Sequence, residues 1–231
     1  RERKDSTIFI HHDNLYLRNI AWGLNQISYG SEDGLYINGH VTGNSPYLTF
    51  EWKAGKDGEH HEVKTQLIGE YNFANALAAV TIGHFFDVES GKIDTALKEY
   101  TPQNNRSQLK QTADNTLIID AYNANPTSMQ ASISNFHNME IDNKMLILGD
   151  MRELGKDGPK EHQKIVDFLT ECGFKDVMLV GEQFAAARHD FPTYPDAPAV
   201  IEALQKNKPH GKTILIKGSN GIKLSTVIDY L

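Results

Sequence analysis

A length of 231 residues suits one large domain or two small ones, and 39% hydrophobic residues are enough for a core. A net charge of −7 gives no basic footprint for nucleic acid, and the lone Cys172 excludes an internal disulfide or a thiolate metal cluster. No apolar run approaches the ~20 residues that span a bilayer, and no signal peptide is visible, so a soluble protein of the reducing cytosol is expected.

The chain begins with the charged run Arg1–Asp5 and no Met, as a fragment, a cloned segment or a Met-trimmed chain would. Residues 6 to about 68 read as mostly β. The strand-like runs are 7–10, 27–30, 34–39, 47–52 and 61–67, with turns at Asn44-Ser45-Pro46 and Gly55-Lys56-Asp57-Gly58. A helix is expected from Asp13 to about Gln26, with Leu15, Ile20, Trp22 and Leu24 as its apolar side. From Asn72 to Phe86 the pattern turns helical and rich in Ala, and a second helix runs from about Lys92 to Tyr100. The polar, Pro-containing stretch Thr101-Pro102-Gln103-Asn104-Asn105 marks a boundary between domains 1–101 and 102–231.

Beyond it, strand-like runs at 117–119, 145–148, 177–180 and 214–216 alternate with helical stretches near 127–138, 159–172, 183–189 and 197–207. A last helix is expected near 223–231. Such βαβα alternation predicts a Rossmann-like domain with a parallel sheet and helices on both faces. Cys172, at a helix end before Gly173, reads as a buried inert thiol.

The run Asp120-Ala121-Tyr122-Asn123-Ala124-Asn125-Pro126 sits where a strand hands over to a helix. In open α/β sheets, ligands bind at that edge. Asp120 can accept from ribose or amine groups, and the amides of Asn123 and Asn125 offer both donors and acceptors. The same residue types also suit a capped turn. Lys217-Gly218-Ser219 ends another strand, where Lys217 can neutralise a carboxylate or phosphate and Gly218 permits close backbone approach. An exposed lysine in a strand-ending turn fits equally well. Asp150 and Glu153 read as turn and helix-start residues with Arg152 near enough to pair. Glu161 and His162 read as helix-surface residues able to orient that loop. His11-His12 and His60-His61 make no metal site by themselves, because strand neighbours point to opposite faces.

Asp120–Pro126 resembles a signature of the Mur ligases, and three further stretches fit that family in order: Gly69–Ala79, Leu148–Gly155 with His162 after it, and Ile216–Ser219. The resemblance is strongest to the member that joins D-alanyl-D-alanine to UDP-N-acetylmuramoyl-tripeptide in peptidoglycan precursor synthesis. It implies an ATP-dependent, ADP-forming ligase acting through an acyl phosphate. The implied fold is α/β: the C-terminal part of the family's central ATPase domain (residues 1–101), then the Rossmann-like ligase domain (102–231).

The resemblance also implies roles. Asn72 and Asn75, three apart on one helix face, would contact adenine; an Asn amide can pair with that edge. The family often has His at the position of Tyr71, whose ring would lie against the base. Arg106 would reach the ATP phosphates, where a guanidinium bonds two oxygens at once, and Asp120 would bond the ribose hydroxyls. Asn123, Asn125, Lys217 and Ser219 would receive the dipeptide.

No Gly-x-x-x-x-Gly-Lys-Ser/Thr loop occurs in the chain. In the family that loop cradles the phosphates and residues downstream of it hold magnesium. The Mg ligands are therefore expected upstream, and this chain alone is expected to be inactive. A hinge near 100–105 and a monomer are also expected. A folylpolyglutamate-synthase-like ligase, another Mur-type amino-acid ligase and a non-catalytic ligand-binding module remain open alternatives.

Overall fold

A computed structural model describes residues 6–103 and 106–231. The chain divides into two compact units, residues 1–101 and 102–231.

The first unit contains β1 (Thr7–His11), α1 (Leu15–Ile20), β2 (Asn25–Gly30), β3 (Ile37–Asn44), β4 (Tyr47–Ala54), β5 (His61–Ile68), α2 (Phe73–Phe85) and α3 (Ser90–Glu99). Its sheet runs in chain order; β1, β2 and β3 are parallel, while β4 and β5 add antiparallel. Alternation in β4 sends Leu48, Phe50 and Trp52 inward, where they meet Ala76, Leu77 and Val80 of α2. Each fully buried side chain of that size contributes roughly 1.5–3 kcal/mol. Asp94 of α3 accepts from Trp52 Nε1 and bonds His61 Nδ1, both at 2.8 Å, so α3 is pinned to the sheet. His60, just before β5, instead approaches Glu51 at 3.8 Å.

The helix expected over 13–26 is corrected. It spans only Leu15–Ile20, and β2 begins at Asn25. Its supposed apolar side is exposed: Leu15 68%, Ile20 57%, Trp22 83% and Leu24 42%. Gly23, at φ +81, breaks the helical path before Leu24.

The second unit contains β6 (Gln108–Gln111), β7 (Thr116–Asp120), α4 (Pro126–Asn138), β8 (Lys144–Gly149), α5 (Gly158–Glu171), β9 (Val177–Val180), α6 (Glu182–Ala186), β10 (Thr193–Tyr194), α7 (Ala197–Lys206) and β11 (Thr213–Lys217). The sheet order is β10-β9-β8-β11-β7-β6, and only β6 is antiparallel. The mainly parallel α/β sheet is as expected.

One face of this sheet, with Leu117, Ile119, Ile147, Val180 and Ile216, packs on α7 and the last residues of the chain. The alternate residues Leu146, Leu148, Leu179 and Leu215 are equally buried, as a sheet covered on both faces demands. The two edge strands β6 and β10 carry no long apolar run and were not anticipated. The last turn, Leu224–Tyr230, is 3₁₀ rather than α. Cys172 is half-buried, and burial pushes its thiol above the ordinary range.

Candidate functional site

In the first unit the candidates sit at the β5–α2 junction. Gly69 turns the chain at φ +94, a conformation costly to any residue with a Cβ, and a Cβ there would lie 2.3 Å from the Tyr71 ring. The ring of Tyr71 is thus folded back on its own turn. Asn72 closes that 3₁₀ turn by donating from Nδ2 to Ile68 O at 2.8 Å. Exposed Asn75, on the first turn of α2, donates to Asn72 Oδ1 at 3.4 Å. The two asparagines therefore share one helix face, and the outer amide is the accessible one.

In the second unit the ends of three strands converge. β11 lies between β8 and β7, and its register places Lys217 beside Asp120. Lys217 Nζ donates to Asp120 Oδ2 at 2.5 Å and to Asn123 O at 3.4 Å, and Ser132 of α4 donates to the same carboxylate oxygen at 3.1 Å. Lys217 is 1% exposed. This corrects the reading of an exposed turn lysine: Lys217 is the buried counter-ion of Asp120.

Ser219 is likewise buried and internally bonded. Its N–H donates to Asp150 O (3.2 Å), its Oγ accepts from Arg152 N (2.8 Å), and its hydroxyl donates to Ala124 O (3.4 Å). The ends of β7, β8 and β11 are tied together through this one side chain.

Asn125 is the N-cap of α4. Its Oδ1 accepts from Ser128 N at 2.8 Å, Ser128 Oγ accepts from Asn125 N, and Pro126 fills the first helical position. Exposed Asn123 accepts its neighbour's N–H, from Ala124, at 2.8 Å. The Nδ2 groups of Asn123 and Asn125 have no partner among the described residues. Arg106 lies over the ring of half-exposed Tyr122, 3.6 Å from its centroid, a cation–π contact that holds the guanidinium beside this turn.

Asp150, at the end of β8, caps α6: its two oxygens accept from Gln183 N and Phe184 N, both at 3.0 Å. Gly181, at φ +118, makes room, since a Cβ there would lie 2.3 Å from the Asp150 carboxylate. Arg152 packs its side chain against Gly221 and pairs with no acid among the described residues. His162 is corrected from a surface residue to a fully buried one. Its Nε2 accepts from Met151 N (3.0 Å), which makes Nδ1 the protonated nitrogen that donates to Gly158 O (2.7 Å). The expectation that it orients the 150–155 loop stands. A cavity of about 400 Å³ opens here, lined by Met151, Arg152, Glu153, Glu182, Gln183 and Ile222 among others.

Sequence reading missed Ser132, the platform role of Tyr122 and the burial of His162. The last had a signal: His162, Ile165, Val166 and Leu169 follow the i, i+3, i+4, i+7 spacing of a buried helix stripe.

The family model for "Mur ligase, glutamate ligase domain" matches residues 105–220, half of the chain. The chain belongs to the Mur ligase family. Two relatives carry the name UDP-N-acetylmuramoyl-tripeptide–D-alanyl-D-alanine ligase. That of Synechocystis sp. is 27% identical over 98% of this chain and 50% of its own length. That of Bacillus subtilis is 28% identical over 80% of this chain and 44% of its own. The chain thus spans about half the length of these Mur ligase relatives.

Among solved structures, MurF from Acinetobacter baumannii superposes with a TM-score of 0.80 at 23% identity, covering 97% of this chain and 51% of that one. MurF from Thermotoga maritima in complex with ADP gives 0.81 at 17%, covering 99% and 53%. These two likenesses concern the Mur ligase fold.

Proposed function

We propose that this chain works as part of an ATP-dependent, ADP-forming ligase that joins D-alanyl-D-alanine to UDP-N-acetylmuramoyl-tripeptide in peptidoglycan precursor synthesis. The observation that carries this reading is the relative of that name aligned over nearly the whole chain. The open turn 120–125 supports it, with two outward amides and a stacked arginine.

In this reading a tripeptide carboxylate oxygen attacks the γ-phosphorus of ATP, the bond to the bridging oxygen breaks, and ADP leaves. The dipeptide amine then attacks the acyl carbon and sheds a proton to solvent as phosphate departs. Positioning and charge neutralisation dominate such transfers. Asn75 contacts the adenine edge while Asn72 fixes the turn that presents it, and Tyr71 flanks the base. Arg106 meets phosphate charge from its perch on Tyr122. Asp120 keeps its second oxygen for ribose.

Asn123 and Asn125 donate to the dipeptide through Nδ2. Lys217 and Ser219 act through their neighbours, as positioning residues. Among the described residues no group of three or more His, Cys, Asp or Glu suits a metal, so no step is assigned to Mg here. Residues 1–101 are taken as the C-terminal portion of the central ATP-binding domain and 102–231 as the ligase domain, acting as a monomer in the cytoplasm. Lacking the phosphate loop, the 231-residue chain has no ligase activity of its own, and D-Ala-D-Ala-dependent phosphate release from it would refute that statement.

Calorimetry with D-Ala-D-Ala, ATP and a folate tests the reading. Dipeptide binding that Asn123→Ala abolishes supports it. Folate binding instead favours a folylpolyglutamate-synthase-like enzyme, and silence toward all three favours a bare scaffold.

A further inference from the structure

A second cavity of the second unit lies at the opposite edge of its sheet from the site described above. It encloses about 650 Å³ where β8 and β9 begin and α7 ends. Its floor belongs to the hydrophobic core: Met145, Met178, Leu204 and the half-buried Ala203 and Tyr194 all pack in the cluster beneath α7. Its rim carries four lysines, Lys175, Lys206, Lys208 and Lys212, against one acid, Asp176. On a chain of net charge −7 this concentration of positive charge is local and runs against the whole.

Two of the four are already matched: Lys212 bonds Asp176 at 2.8 Å, and Lys208 bonds Asp114 at 2.7 Å. Exposed Lys175 and Lys206 have no acidic partner among the described residues. The carboxyl-edge cavity has the reverse character, with Asp150, Glu153 and Glu182 against the single Arg152.

We propose that this groove binds a small amphipathic anion, an apolar or aromatic body carrying one or two acidic groups. The volume suits a ligand of ordinary metabolite size, and such sites combine an apolar lining with a few charged groups that fix orientation. Methionine thioethers are polarisable and adjust their shape, so a floor with two of them accepts flat rings. Lysines on flexible stems can close over an acid while their methylenes cover the ring. A bare inorganic anion gains nothing from the floor, and a neutral ring gains nothing from the rim.

The test uses 8-anilinonaphthalene-1-sulfonate as the probe, its sulfonate-free analogue and inorganic phosphate as controls, and the chain labelled with methyl-¹³C methionine. Expected are one-to-one binding of the probe and shifts at Met145 and Met178 with Met151 unmoved. Affinity should fall at higher salt and drop about tenfold in Lys175→Glu/Lys206→Glu, the scale of two exposed charge contacts turned repulsive. Phosphate alone should leave both methyls in place. Equal binding of the neutral analogue, no effect of the double reversal, or shifts confined to other methionines would each overturn the proposal.

Discussion

The two edges of the second unit's sheet handle charge in opposite ways. At the carboxyl edge the polar groups are taken inside and cross-tied: Lys217 to Asp120, Asp150 to the first amides of α6, and Ser219 at the end of β11 to the ends of β7 and β8. At the amino edge partly exposed Asp114 lies between Lys208 and His210, and those two hydrogen bonds hold its carboxyl below the ordinary range, Lys208 contributing most. Charges that are buried must be matched and fix the geometry around them; charges left in water do neither. The first edge thereby holds the 120–125 loop in one shape, as the proposed dipeptide contacts require.

That contrast can be broken residue by residue. Lys217→Met should have the largest effect, up to about 3 kcal/mol of lost stability, because the partly buried Asp120 carboxylate then loses its counter-ion. Chemical denaturation measures it, and the double variant Lys217→Met/Asp120→Asn should recover most of the loss. Gly181→Ala should cost about 3 kcal/mol, since a Cβ meets both an unfavourable φ and the Asp150 carboxylate. Its α6 amides should also exchange faster with solvent. Asn125→Ala removes one half of the capping box of α4 and should cost about 1 kcal/mol.

Asp114→Asn should be the mildest. The lowered carboxyl contributes stability above the ordinary carboxylate value of about 4, and that contribution disappears as pH falls through the lowered folded value. Variant and parent stabilities should therefore differ near neutral pH and converge in acid. A difference that grew in acid would show the sign to be wrong.

Much of this was legible in the sequence. Every central strand of the parallel sheet announces itself as an apolar run bounded by polar turns, because burial on both faces leaves no room for alternation. The Asn-Pro of α4 likewise spells its own cap. Less visible were facts that depend on register. Nothing local to Lys217 says that Asp120, 97 positions away, lies beside it, so the lysine read as a ligand contact or an exposed turn residue. The 13–26 stretch misled for a different reason: Leu15, Ile20, Trp22 and Leu24 do not share one helix face, and Gly23 and the parallel pairing of β2 with β1 claim the chain before the helix can extend. The roles of Asn72 and Asn75 came from resemblance. The structure adds which of the two amides is spoken for.

In the proposed function the carboxyl edge is the dipeptide side of this chain. The most direct measurement is titration of the methyl-¹³C methionine chain with D-Ala-D-Ala, read at all five methionines. Met151, beneath the Arg152 loop, should shift, while Met145 and Met178 at the amino edge should not. Five unmoved methyls, or shifts at Met145 and Met178 in place of Met151, would contradict it.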